Sequence, residues 1–181
     1  VAKARVHIRS LGIYGQAAVE HWDASVLPFA DHTVNLLVVE APGSVPPDEM
    51  TRVLVPGGVS CVKKGDTWAT TTKPPRAGVD DWTHFLHSAS GNPVSSDTVM
   101  GPPRHLQWTA EPRHTLSHEF TPSIQAVVSA AGRLFYIADT APTDTLRKPA
   151  EWAVVARDAY NGLLLWEQPI PEWFSHLCGW T

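Results

Sequence analysis

Two pairs of histidines are the residues whose type and spacing come nearest to metal-binding chemistry. The chain has nine histidines. His84 and His87 are three residues apart and would share a face of a helix, and His114 and His118 are four residues apart. Imidazole is a common ligand of zinc and copper, so either pair could supply two ligands. The plainer interpretation is that these histidines cap loops or hydrogen-bond to backbone at a domain junction.

Other reactive side chains form only incomplete motifs. The His-Glu-x-x-His motif of zinc proteases is absent. Arg113, together with His114 and His118, could instead line an anion site. The two cysteines, Cys61 and Cys178, lie far apart in the sequence and form no Cys-x-x-Cys motif. Cys61 stands in an apolar strand pattern, which indicates a buried and unreactive thiol.

Composition indicates a folded, soluble protein and excludes few functions. The chain has 14 basic and 18 acidic residues and a net charge of −4, so we expect no nucleic-acid partner. No apolar run approaches the roughly 20 residues of a membrane span, and no signal peptide is visible. The first residues are typical of the middle of a helix, so we expect the chain to be a piece of a longer protein.

The first 65 residues are predicted to form α/β structure. Apolar residues at helical spacing predict a helix over residues 1–11, with Gly12 at the left-handed position that ends it. Residues 17–22 are predicted to form a short strand.

A strand–helix–strand unit is predicted in the second part of this region. Residues 33–39 are almost continuously apolar, which is typical of a strand covered on both faces in a parallel sheet. Residues 46–54 open with prolines and acidic residues and are predicted to be helical. A Pro-Gly-Gly break at 56–58 precedes a strand over 59–62, which completes a βαβ unit.

The sequence changes character near residue 66, and seven of the eight tryptophans lie beyond that point. Residues 66–122 are predicted to be a connector rich in proline, tryptophan and histidine. Within it, 67–72 is rich in threonine, 73–78 has the composition of a linker, and 80–87 is predicted to form one or two helical turns.

The last third, residues 123–181, is predicted to be all-β. Residues 125–130 and 133–138 flank an Ala-Gly pair as a hairpin, and residues 151–158 pair with 163–168 through an Asn-Gly turn. Four strands in this meander order are the composition of one β-propeller blade.

An eleven-residue segment within this region has the spacing of a strand, a tight turn and a return strand. Ala156, Asp158, Gly162 and Trp166 occupy its first, third, seventh and eleventh positions. We expect Asp158 to accept backbone N–H bonds, and Asn161 and Gly162 to supply the positive-φ residues of the turn. The indole of Trp166 could cover a neighbouring sheet.

This segment resembles the tryptophan-docking repeat of β-propellers of the pyrroloquinoline-quinone (PQQ) type, with Asn161 where threonine is usual. Such propellers carry the repeat in every blade, and it occurs once here, so the resemblance implies that this is the first blade of a larger propeller. Quinone enzymes of this type need a Ca²⁺-coordinating Glu and Asn and a catalytic Asp from several blades. We therefore interpret Asp158 and Trp166 as structural and expect no PQQ binding by this chain alone.

The N-terminal region resembles the second half of a class I S-adenosylmethionine (SAM)-dependent methyltransferase. The matching segments are residues 23–31, 34–37 and 49–58. The resemblance implies that Asp23 accepts a hydrogen bond from the adenine amino group and that the backbone at Ala24 reads the edge of the ring. It also implies that Glu40 lines the mouth where methyl transfer occurs. Asn35 stands where the family usually has aspartate, and the family's Gly-rich turn and ribose-binding acid are not found before Val1.

Both resemblances in this order are typical of a group of bacterial proteins that fuse a methyltransferase-like domain to a PQQ-like propeller. The junction segments 81–92 and 99–108 also match that group. Its members are commonly exported, so the resemblance implies a periplasmic location.

These observations predict an α/β Rossmann-like half-domain (1–65), a connector (66–122) and an all-β first propeller blade (123–181). Three functions stay open. The parent protein is a methyltransferase that uses SAM on an unknown acceptor, or a non-catalytic propeller that binds or scaffolds a protein or small-molecule ligand beside a degenerate Rossmann domain, or a quinoprotein dehydrogenase. In each case the rest of the propeller is the expected partner.

Overall fold

The described part of the chain forms two β-sheets joined by irregular segments. The computed structural model describes residues 1–22, 25–41, 43, 45–102, 105–111, 123–141 and 150–171. Of these residues, 37% are in strands and 11% in helices. The two helices are α1 (Ala2–Ser10) and α2 (Pro47–Val53).

The first sheet has three strands in the order β1-β2-β3. They are β1 (Val34–Val39), β2 (Leu54–Lys64) and β3 (Thr67–Thr72). β1 pairs in parallel with β2, and β2 pairs antiparallel with β3. α2 connects the two parallel strands. The predicted strand–helix–strand order is therefore confirmed, and the threonine-rich residues expected in a connector form β3, because their β-branched side chains suit a strand.

The predicted Rossmann-like α/β fold is wrong for this chain. The described residues contain only two helices, and the structure is predominantly β. α1 has no buried residue, so it does not cover the sheet as a helix of a doubly wound fold would. A local βαβ pattern was correctly predicted, but the layers of helix that define the fold do not surround it in the described residues.

The N-terminal segment agrees with prediction only in its helix. α1 is followed by Gly12 at φ 71°, as expected for a left-handed C-terminal residue. The strand predicted over 17–22 is wrong, since in this segment Ala17 makes just an isolated bridge to Tyr14. A short apolar run fits a strand equally well in a segment that finds no neighbouring strand to pair with.

The second sheet is an antiparallel meander in the order β4-β5-β6-β7. Its strands are β4 (Ile124–Ala130), β5 (Arg133–Asp139), β6 (Trp152–Asp158) and β7 (Leu164–Pro169). Both predicted hairpins are confirmed by the pairing of β4 with β5 and of β6 with β7. The first turn places Ala131 at φ 50° and Gly132 at φ 73°, which matches the right-handed twist of the strands.

Buried residues lie in different places in the two sheets. In the second sheet, Tyr136 and Ala138 of β5 face Ala153 and Val155 of β6 across the two central strands. In the first sheet, burial is concentrated where α2 runs into β2, at Met50, Val53, Leu54 and Val55.

Candidate functional site

The turn between β6 and β7 is the most densely hydrogen-bonded part of the eleven-residue segment. The Asp158 carboxylate is 8% exposed and accepts bonds from the backbone N–H groups of Tyr160 (2.8 Å) and Asn161 (3.3 Å). The Asp158 carbonyl accepts from Gly162 N–H at 2.9 Å, and Asn161 Oδ1 accepts from Leu163 N–H at 3.0 Å. Asp158 therefore has the structural role that the sequence predicted.

Gly162 is required in this turn for two separate reasons. Its φ is 73°, a conformation that side chains disfavour. A Cβ at this position would also overlap the Trp108 indole, with Cδ2 only 2.6 Å away. Trp108 is fixed in place because its Nε1–H donates to the Ala159 carbonyl at 3.0 Å. The prediction that Asn161 also has a positive φ is wrong, because the longer loop needs that conformation only at Gly162.

An inter-sheet amide cluster, formed by Asn35, Asp158 and Asn161, joins the turn to the first sheet. Asn35 Nδ2 donates to Asp158 Oδ2 at 2.7 Å. Asn161 Nδ2 donates to Asn35 Oδ1 at 2.6 Å and to the Thr33 carbonyl at 3.0 Å. Asn35 and Asn161 each stand where a pattern that the sequence resembles usually has another residue, and the structure brings the two together. Each departure was visible in the sequence, but nothing in the sequence indicated that they meet.

Arg157 fixes the opposite side of the same turn. Its Nε donates to the Tyr136 hydroxyl at 2.8 Å, and its Nη1 donates to the Gly162 carbonyl at 2.9 Å. Its Nη2 reaches the Glu111 carbonyl at 3.3 Å. One guanidinium thus links the second sheet, its turn and the segment 105–111, a role that the sequence did not suggest.

A cleft of about 240 Å³ lies between the two sheets beside this turn. Its polar side chains are Arg76, Asp81 and Tyr160, and its glycines are Gly57 and Gly132. Burial, followed by the nearby negative charge of Asp81, raises the pKa of the Tyr160 phenol. The phenol therefore stays protonated at neutral pH and can donate a hydrogen bond into the cleft.

β7 is exposed on both faces along its whole length. Leu163, Leu164, Leu165 and Trp166 are between 42% and 55% exposed. Trp166 contacts the Phe135 ring at a centroid distance of 6.1 Å, with the rings tilted by 44°. Its side chain therefore makes an aromatic contact within the sheet while about half of the residue stays exposed.

The histidines at positions 84 and 87 do not form the two-ligand site that helical spacing would give. The helical turn predicted over 80–87 is wrong, because His84 N–H donates to the His87 carbonyl in a tight turn. His87 has φ 68° and its Nε2 lies 2.7 Å from Asp80 Oδ2, whereas His84 Nδ1 lies 2.9 Å from Thr83 Oγ1. The two rings have separate partners.

Asp80 organises the loop around His87. Its Oδ2 accepts bonds from Ser96 N–H at 2.6 Å and from the Ser95 hydroxyl at 3.1 Å, in addition to His87. These bonds, with the Ser96 N–H contributing most, hold the pKa of the Asp80 carboxyl well below its usual range. Within the ranges that the structure describes, no group of three or more His, Cys, Asp or Glu side chains could hold a metal ion.

Several other predicted site residues cannot be placed. Asp23, Ala24, Arg113, His114 and His118 lie outside the described residues, as does the second cysteine, at position 178.

Two remaining predicted residues are described. Glu40 is exposed immediately after the end of β1. Cys61, in β2, is only partly buried, and its Sγ lies 3.7 Å from Thr70 Oγ1. The prediction of a buried thiol is wrong because the neighbouring strands β1 and β3 pair with the edges of β2 and cover neither of its faces.

Comparison with known proteins gives no family for this chain, because no family model, curated protein or solved structure matches it. In the described ranges, neither helix has the length and apolar character needed to cross a membrane.

Proposed function

We propose that this chain belongs to a non-catalytic binding or scaffold protein, in which β7 docks against another β-sheet of the same repeat type. The observation that carries the proposal is the row of four large apolar residues from Leu163, directly before the edge strand β7, to Trp166 within it, each between 42% and 55% exposed. An edge strand with unpaired backbone groups and apolar side chains is a template for pairing with another chain segment.

The construction of the hairpin supports this proposal. Asp158, Arg157 and Trp108 fix the turn through their hydrogen bonds, so β7 leaves the turn in a defined direction. Rigid presentation lowers the entropy lost when a partner binds. The hydrogen bonds of these three residues therefore position the surface of β7.

The nature of the surface favours another sheet as its occupant. None of the four exposed residues in the row is charged, and Trp166 is 47% exposed although it contacts Phe135. A second sheet carrying the same repeat would offer aliphatic and aromatic side chains at matching spacing. The resemblance of residues 156–166 to a tandem propeller repeat gives independent support.

Self-association of the chain tests this proposal, because a second copy supplies such a sheet. We expect sedimentation velocity to show association that increases with concentration, and we expect Leu165→Lys to reduce it strongly. Leu106→Lys is the matched control, since Leu106 is 84% exposed in a different segment. A wild-type monomer with a cooperative melt, or equal effects of the two substitutions, would contradict the proposal.

The methyltransferase function, SAM as cofactor, quinone chemistry and a periplasmic location stay predictions from resemblance. Glu40 is exposed beside β1, and Asp23 and Ala24 lie outside the described residues. We expect isothermal titration of this chain with SAM to give no measurable binding. A micromolar dissociation constant that Glu40→Gln weakens would favour a methyltransferase over a scaffold.

A further inference from the structure

Asn161 and Gly162 form a dipeptide that is chemically labile as well as structurally important. We propose that Asn161 is a deamidation site whose reactivity is controlled by the docking of the two sheets. While the sheets are docked the side chain is protected, and when they separate the amide can be lost. The aspartate or isoaspartate formed at position 161 then opposes redocking of the two sheets, so a temporary separation leaves a permanent chemical change.

The reaction needs only water and the chain itself. The backbone nitrogen of Gly162 attacks Asn161 Cγ, a C–N bond forms, and the side-chain amide nitrogen leaves as ammonia. Water then opens the resulting succinimide at either carbonyl, which yields aspartate or isoaspartate at position 161. The net change replaces one amide by one carboxylate, with ammonium released and no oxidation or reduction.

The docked structure restrains both reacting groups. The nucleophile, Gly162 N–H, donates to the Asp158 carbonyl at 2.9 Å. The leaving group, Asn161 Nδ2, donates to the Thr33 carbonyl at 3.0 Å and to Asn35 Oδ1 at 2.6 Å. Attack requires rotation of the Asn161 side chain, which would break both bonds to the first sheet. Because those two acceptors belong to the first sheet, docking contributes directly to protection.

The product is incompatible with the same contacts. A carboxylate at position 161 has no N–H to give to the Thr33 carbonyl or to Asn35 Oδ1, so oxygen would face oxygen. The Asn35 side chain lies between positions 158 and 161, and its Nδ2 already donates to the Asp158 carboxylate at 2.7 Å. Rotating the Asn35 amide to donate to a carboxylate at position 161 would turn its Oδ1 towards Asp158. Isoaspartate would in addition insert a backbone atom into the turn and shift Gly162 away from Trp108.

The sequence provides internal references for this reaction. The chain has two other asparagines, Asn35 before leucine and Asn92 before proline. The proline nitrogen after Asn92 carries no hydrogen and cannot form the neutral succinimide. The side chain of leucine hinders attack after Asn35, whereas glycine presents no side chain. Deamidation of this chain should therefore concentrate at Asn161.

The experiment measures deamidation of each asparagine by peptide mass spectrometry during incubation at mildly alkaline pH. Samples are the native wild-type chain, the same chain in denaturant, Asn35→Ala and Gln107→Ala. Gln107 Nε2 donates to the Asp31 carbonyl at 2.6 Å, a bond between the segment 105–111 and the loop before β1, so its removal weakens docking without removing a hydrogen bond of the turn itself. Circular dichroism reports whether each variant is folded.

We expect native wild-type chain to deamidate at Asn161 at least about tenfold more slowly than denatured chain, which requires an opening cost of only about 1.4 kcal/mol. Asn35→Ala and Gln107→Ala should react faster than wild type under native conditions and at the wild-type rate in denaturant. If Asn35→Ala is unfolded, Gln107→Ala decides. Equal rates in native and denatured wild type, or folded variants as slow as wild type, would overturn the proposal.

The consequence for docking is tested separately with Asn161→Asp. We expect faster amide hydrogen exchange at β1 in this variant than in wild type. Asn92→Asp makes the same change of charge on an exposed loop and should leave exchange at β1 unchanged. Equal exchange in both variants would show that the product does not oppose docking.

Discussion

The two sheets of this chain bury their apolar residues in opposite ways. In the β4–β7 sheet, the buried residues Tyr136, Ala138, Ala153 and Val155 lie in the two central strands. In the β1–β3 sheet they lie at the junction of α2 and β2, while Leu36 and Val38 of β1 are 58% and 56% exposed. The β4–β7 sheet therefore has a small apolar core in its central strands, whereas the β1–β3 sheet buries apolar residues only where α2 meets β2.

This difference explains why sequence patterns worked better for the second sheet. The β4–β5 and β6–β7 connections are short and carry strong turn signals, so each of these hairpins is specified locally. β1 is a nearly continuous apolar run, and such a run is read as a strand covered on both faces. In this structure β1 is an edge strand, because among the described residues it pairs with β2 on one side and with no strand on the other. The apolar run therefore predicted the strand correctly, but the prediction that both faces of the strand are covered is wrong.

The largest effect is expected from Gly162→Val, which tests whether the second sheet depends on its turn. Positive φ in a β-branched residue and overlap with Trp108 should together cost about 3–5 kcal/mol of unfolding free energy. Gly65→Val is the matched control in the first sheet, because Gly65 has φ 61° and open space around its Cβ. It should cost about 1–3 kcal/mol. Equal losses in urea unfolding would show that Trp108 does not restrict position 162.

Asp158→Ala should have the next largest effect and measures the connection between the sheets. Asp158 accepts two backbone bonds and one bond from Asn35, whereas Asp139 accepts two backbone bonds, from Ala141 and Glu151. We expect Asp158→Ala to cost about 1.5–3 kcal/mol more than Asp139→Ala, the value of a hydrogen bond to a charged group. Equal losses in chemical denaturation would mean that the Asn35 bond contributes nothing.

A smaller effect is expected from removing one tryptophan from each sheet. Trp166 and Trp68 are 47% and 46% exposed, so they differ in neighbours and not in exposure. A fully buried tryptophan would cost about 3–5 kcal/mol, and half-exposure should lower this to about 2 kcal/mol for Trp166→Ala. Trp68→Ala should cost about 1 kcal/mol, because it lacks the ring contact that Phe135 makes with Trp166. Thermal unfolding measures both losses of stability. A larger loss for Trp68→Ala than for Trp166→Ala would contradict the prediction that the Phe135 contact stabilises the second sheet.

The smallest expected effect is a loss of folding stability at low pH that comes from Glu49 of α2, the helix of the first sheet. Hydrogen bonds from Arg52, and a further one from Leu27 N–H, lower the pKa of Glu49 from 4.5 to about 2 against the opposing effect of burial. Since the folded pKa is the lower one, this stabilisation is present above pH 4.5 and is lost as the pH falls towards about 2. Glu49→Gln should flatten this part of the stability profile. An unchanged slope in the variant would contradict the assignment.

The candidate site was predictable in its local part. The spacing of Asp158 and Gly162 specified a carboxylate that caps a turn and a glycine at positive φ, since both effects act within a few residues. The helical turn predicted over 80–87 is wrong for the opposite reason, because Asp80 accepts a hydrogen bond from the Ser96 N–H, which lies 16 residues further along the chain. Local rules hold where the partners are local.

The sequence by itself determined both helices, the two hairpins and every strand except β3, because hydrophobic period, proline position and turn residues act over short distances. Only the tertiary structure decided that Asn35 meets Asp158 and Asn161, across more than 120 residues. It also decided that Trp108 lies on Gly162 and that β7 is left exposed. These outcomes depend on how two sheets pack against each other, and packing is set by the combined shape and polar pairing of surfaces that no single segment encodes.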